Sequence, residues 1–129
     1  MWYEFLADND KISSFYKKIP ELNNISMINI IFENNGTNIC VDFQMPYLPE
    51  LLLKVPPKED NVIFVQIRLI GVKKIYMKTK GCFENINILI KPFGDNYNLK
   101  SKDNLVLDII AKKIRLINIF TCKQDIDNI

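Results

Sequence analysis

From residue 25 onward apolar side chains recur at every second position, the period of a half-buried strand. Residues 25–33 (ISMINIIFE) and 37–45 form the first pair. Between them stands Asn34-Asn35-Gly36, and Asn-Gly is a strong hairpin signal because both residues tolerate positive φ. On the second member Ile39, Val41, Phe43 and Met45 face one way; Asn38, Cys40, Asp42 and Gln44 face the other. Alternation returns at 62–70, with Ile63, Val65, Ile67 and Leu69 opposed to Phe64, Gln66 and Arg68. Gly71 reads as a tight turn into a strand at 72–79. Further strands are expected at 84–91 (Ile86, Ile88 and Ile90 inward) and at 104–110 (Leu105, Leu107 and Ile109 inward). Ala111-Lys112-Lys113 then reads as a turn into a last strand at 114–121.

Before residue 25 the period differs. Residues 1–7 are apolar and aromatic and are expected to pack as a short extended arm. Asp8-Asn9-Asp10 offers an N-cap, and Ile12, Phe15, Tyr16 and Ile19 follow at helical spacing, with Lys17 and Lys18 in the last turn. This predicts a helix at about 9–19, stopped by Pro20. Residues 46–61 contain Pro46, Pro49, Pro56 and Pro57 around Leu51-Leu52-Leu53; they read as a shaped loop, with a helical turn near Glu50–Leu53. The tail 123–129 is polar and is expected to fray. The expected fold is α+β in one domain, 1–129. An N-terminal helix precedes about seven mostly antiparallel strands in a twisted sheet or flattened sandwich.

Composition narrows the chemistry. The chain has no histidine, which removes the commonest general base and metal ligand and every Ser-His or Cys-His pair. Four isolated glycines build no phosphate loop. Three widely spaced cysteines, Cys40, Cys82 and Cys122, form neither a disulfide framework nor a zinc site and read as free thiols. The acidic pairs Asp8/Asp10, Glu59/Asp60 and Asp125/Asp127 read as caps, turns and tail. Without a nucleophile–base pair or a metal, no enzyme activity and no cofactor is expected. The start of the sequence lacks a signal-peptide pattern, and no apolar run is long enough to span a membrane, so a soluble cytoplasmic protein is expected.

The net charge of +2, from 17 basic and 15 acidic residues, is too balanced for a phosphate-tracking surface. Only Arg68 and Arg115 are arginines, which weighs further against base readout; neither nucleic acid nor membrane is an expected partner. The candidate partner-binding residues are Phe64, Gln66 and Arg68, where an aromatic stands beside Arg on the polar parity of its strand, and Lys74, Tyr76 and Lys78. The second trio, with Lys73 and Lys80, also has two other readings. Edge lysines prevent strands from aggregating, and lysines interleaved with an aromatic suit nucleic acid or a small ligand. Trp2 reads as a core anchor for the terminus, or as a partner anchor.

Trp2, Pro20, Gly36, the loop with Pro46, Pro49 and Pro56, and the apolar run 62–72 closing on Gly71-Val72 together resemble the small immunity proteins of bacterial polymorphic toxin systems, in particular the immunity protein 50 family. The chain departs from that pattern after the proline-rich loop, where Lys58-Glu59-Asp60 stands in place of a Trp. The resemblance implies a non-enzymatic cytoplasmic protein that binds and neutralises a cognate toxin domain.

Overall fold

The computed structural model describes residues 1–16, 18–45 and 62–122. The loop 46–61, including the helical turn expected near 50–53, Lys17 and the tail 123–129 lie outside the described residues. The described residues build one mostly antiparallel sheet of seven strands. The strands are β1 (Leu6–Ala7), β2 (Ser26–Glu33), β3 (Asn38–Gln44), β4 (Val62–Thr79), β5 (Leu89–Phe93), β6 (Asn96–Lys102) and β7 (Leu105–Cys122), in the spatial order β2-β3-β4-β7-β6-β5. β1 is the one departure from antiparallel pairing: it lies parallel to β7, with Leu6 opposite Ile114.

β2 and β3 form the expected hairpin, and Asn34, Asn35 and Gly36 all adopt positive φ at its turn. The expected breaks at Gly71 and at 111–113 are absent. β4 and β7 are instead two continuous strands of 18 residues paired along their length. What the sequence carries at both places is a change of parity. On β7 the buried positions are Leu105, Leu107, Ile109 and Ala111, then Ile114, Leu116 and Ile119, with Lys112 and Lys113 both exposed between the two sets. Across the ribbon Gly71 sits at φ +68, and a β-bulge follows between Val72 and Lys74. The ribbon therefore turns its buried side at this corner without reversing direction; bulges concentrate such twist.

Gly71 is needed there for two reasons. Positive φ is unfavourable for any residue with a Cβ, and a Cβ at this position would meet Lys112 Cβ at 3.0 Å. Gly94, in the β5–β6 turn, shares the positive φ but has nothing within 4 Å of such a Cβ. Gly71→Ala is expected to destabilise by about 1–3 kcal/mol. Gly94→Ala is expected at the lower end of that range, and urea midpoints of the two variants check the difference.

The expected helix at 9–19 is a correction. Only a 3-10 turn, Asn9–Ser14, forms there. Asp8, the expected cap, adopts φ +61 and makes no side-chain cap bond. The Ser13 and Ser14 hydroxyls donate back to the Asp10 and Lys11 carbonyls at 2.8 and 2.7 Å, the local bonding by which serine competes with a helix. Residues 1–7 form a 3-10 turn, Trp2–Phe5, followed by β1. Trp2 is a core anchor: it is buried, and its Nε1 donates to the Pro20 carbonyl at 2.8 Å.

The expected strand at 84–91 is displaced. Residues 83–88 run beside 22–27, joined by backbone bonds between Ile25 and Ile86 in both directions (2.9 Å) and from Met27 N to Phe83 O (2.8 Å). This brings the chain leading into β2 against the chain leading into β5. β6 is an additional strand. Its inward positions are Leu99 and Ser101, and Ser101 Oγ bridges the Leu105 carbonyl (2.6 Å) and the Leu107 amide (3.1 Å). A polar residue on the buried side conceals the period.

The inward residues of both halves join one cluster: Ile39, Val41 and Phe43 from β3, Ile63, Val65, Ile67 and Leu69 from β4, and Leu105, Leu107 and Ile109 from β7. Ile12, Phe15, Tyr16 and Leu22 fill it from the N-terminal segment. The inward alternation expected on β3 and on both halves of β4–β7 is borne out at these positions.

Candidate functional site

Residues directly opposite on neighbouring strands project from the same face. On the outward face of the first half, Phe64 lies between Gln44 and Phe120, Gln66 between Asp42 and Asn118, and Arg68 between Cys40 and Arg115. The Phe64 and Phe120 rings stack with centroids 5.5 Å apart. They line a groove of about 210 Å³ with Ile28, Asn29, Asp42 and Gln66. Phe120 is 43% exposed, and Ile28 and Ile31 of the edge strand β2 are similarly open. Three polar contacts frame this apolar strip. Asn29 Nδ2 donates to Asp42 Oδ2 (3.2 Å), Arg68 Nε to Glu33 Oε1 (2.9 Å), and Arg115 Nε lies 3.1 Å from Asp8 Oδ2.

Cys40 lies on this face but is buried beneath it. Burial, then the nearby carboxylates of Asp42 and Glu33, pushes its thiol above the ordinary value, with Arg68 opposing. The thiolate is the nucleophilic form, so the surroundings keep this cysteine inert near neutrality. Cys82 is exposed at a polar hollow lined by Lys80, Glu84, Lys102 and Asp103. The charges there oppose one another, and Asp103 already accepts the Asn87 amide at 2.8 Å. Among the described residues no group of three or more Cys, Asp or Glu side chains converges as a metal site would.

The other three candidates lie beyond the Gly71 corner. The six expected residues therefore fall on two halves of the sheet, three on either side of that corner. Lys74 lies opposite Ile110, Tyr76 opposite Asp108 and Lys78 opposite Val106. β6 continues these rows with Asn98, Lys100 and Lys102, and β5 adds Lys91 and Leu89. Among the described residues five lysines therefore share these rows with a single carboxylate, Asp108.

That carboxylate is occupied: Asn98 Nδ2 donates to Asp108 Oδ1 at 2.8 Å, and Lys74 Nζ lies 3.4 Å from Oδ2. The Asn98 bond, assisted by Lys74, holds the Asp108 carboxyl below its ordinary 3.8, against the opposing effect of burial. A depressed carboxylate contributes stability above its unfolded-state pKa and loses it as pH falls through the lower folded-state value. The urea midpoint of the native chain is therefore expected to fall on acidification from about pH 5 to pH 2 more than that of Asp108→Asn, compared at each pH.

Phe120, Lys91, Lys100 and Lys102 were not legible as site residues. The bulge opposite Gln66–Ile67 shifts the parity of β7, so simple alternation from Ile114 and Leu116 would bury Phe120. Lys100 and Lys102 were hidden because β6 does not read as a strand; Lys91 reads as outward on the expected strand 84–91, but nothing in the sequence joins it to Lys74. The one available signal was the pairing of two aromatics across long antiparallel strands.

No family model matches the chain, and no curated protein matches it. Among the described residues no helix is long and apolar enough to cross a membrane. The chain is similar to a solved structure described as the crystal structure of an uncharacterized protein from Neisseria gonorrhoeae. The identity is 17%, the match covers 75% of this chain and 90% of that one, and the TM-score is 0.52. At that identity the likeness is one of fold.

Proposed function

We propose that the chain is a non-enzymatic immunity protein that binds and neutralises a cognate bacterial toxin domain, with Phe64 and Phe120 at the centre of the contact. The supporting observation is the stacked pair at its groove, bordered by Gln66, Asn118, Asp42 and the Arg68–Glu33 ion pair. Exposed aromatics inside a polar rim make up the core of protein interfaces, and a few such anchors carry most of the affinity. A standard interface buries about 1,200–2,000 Å² in total, which exceeds the groove and takes in the neighbouring edge, β2. The layout that resembles the immunity protein 50 family, and the absence of histidine, point the same way. Block of a toxin by such a surface needs shape and desolvation, not proton transfer.

The test is co-expression with the toxin domain encoded beside the gene for this chain. The expected outcome is restored growth and a complex that co-purifies. Growth arrest with no complex, while the chain itself is folded, would overturn the proposal.

A further inference from the structure

A second surface, on the other half of the sheet, carries an inference that holds whichever partner the first surface takes. β3 stops pairing with β4 at Asn38 opposite Ile70, and Val72 N makes the last bond on that side, to Thr37 O (2.8 Å). Beyond it, no described strand lies on that side of β4, and residues 73–79 are all exposed. The other side of the same stretch is fully laddered to β7, through Thr79 opposite Leu105. This leaves an edge of about 23 Å, the length of one ordinary strand.

The two faces of this edge differ. Ile75 and Met77 lie opposite Ile109 and Leu107, which are buried, yet they are themselves 38% and 43% exposed. The apolar core thus ends one strand short of cover. On the other face stand Lys74, Tyr76 and Lys78, backed by Lys100, Lys102 and Lys91. Among the described residues Asp108 is the one acid in these rows, and Asn98 and Lys74 already hold it; at the far end Lys102 also borders Glu84 and Asp103. A second copy of the chain placed here would set lysines against lysines; edge lysines exclude self-pairing in this way. The same charges admit a strand of opposite sign.

We infer that the edge of β4 at 73–79 binds an extended acidic peptide segment that adds antiparallel or parallel to it as a further strand, with carboxylates beside Lys74 and Lys78 and apolar side chains over Ile75 and Met77. Backbone bonds give such additions affinity, and alternate side chains give selectivity. A nucleic acid has no backbone donor–acceptor ladder to offer the open edge.

The probe is a capped seven-residue peptide of alternating Glu and Val, titrated into the ¹⁵N-labelled full chain. A peptide with Lys in place of Glu serves as control. The expected result is saturable binding of the acidic peptide alone, with shifts and slowed amide exchange confined to 73–79. The double variant Lys74→Glu, Lys78→Glu is expected to weaken it tenfold or more. Both side chains are exposed, Lys74 by 57%, so the variant's native circular dichroism is a fair check of its fold. No binding, equal binding of either peptide, undiminished binding to the double variant, or shifts centred on β2 or β5 would each overturn the inference. So would displacement of the acidic peptide by oligothymidylate at an equal concentration, which would mark a phosphate surface instead.

Discussion

Phe43→Ala is expected to destabilise the chain by about 3–5 kcal/mol, the loss typical of a large buried side chain cut back to a methyl. Phe43 is wholly buried on β3 between Met27 of β2 and Val65 of β4, and it belongs to the cluster that links the sheet to the N-terminal segment. Domains of this size hold about 5–15 kcal/mol in total, so the variant forfeits roughly a fifth or more of its stability. The midpoint of urea unfolding checks this. Emission of the single tryptophan is a suitable signal, because Trp2 is buried in the folded chain and hydrogen-bonded to Pro20. A loss under about 1 kcal/mol would mean that Phe43 does not occupy a rigid core.

The second large effect concerns binding. Phe120→Lys is expected to weaken the complex with the toxin domain by at least about 30-fold, or about 2 kcal/mol, the threshold of an interface hot spot. The substitution removes one ring of the stack with Phe64 and sets a charge beside an apolar groove that must be dehydrated on contact. Phe120 is 43% exposed, so the cost to folding is expected to be small beside that of Phe43→Ala. Titration calorimetry separates the two: affinity falls while the urea midpoint stays near that of the native chain. Unchanged affinity would remove Phe120 from the contact.

Much of the sheet was legible because alternation reports burial directly. Ile39, Val41 and Phe43, like Ile63, Val65, Ile67 and Leu69, read as inward and are inward. The hairpin at Asn34–Gly36 was legible because its backbone requires positive φ. Alternation cannot distinguish a chain reversal from a ribbon that changes its buried side. Gly71 and Lys112-Lys113 produce the same break in period either way, and pairing over 18 residues decides in favour of the corner. The N-terminal helix failed where Ser13 and Ser14 redirect their hydroxyls to local carbonyls, an effect that apolar spacing does not register. The candidate site was half legible. Phe64 stood out on a polar parity, but its stacking partner was concealed by the β7 bulge.

The lysine face shows the same limit for charge. A net +2 describes the whole chain and hides the placement of Lys74, Lys78, Lys91, Lys100 and Lys102 around a single engaged carboxylate. Register, not composition, gathers them.

The most direct measurement of the proposed contact is an NMR titration of the phenylalanine-labelled chain with the toxin domain. Ring signals of Phe64 and Phe120 are predicted to move together with the loss of toxin activity, while those of buried Phe43 stay in place. Neutralisation of the toxin with both surface rings unmoved would contradict the assignment of this face.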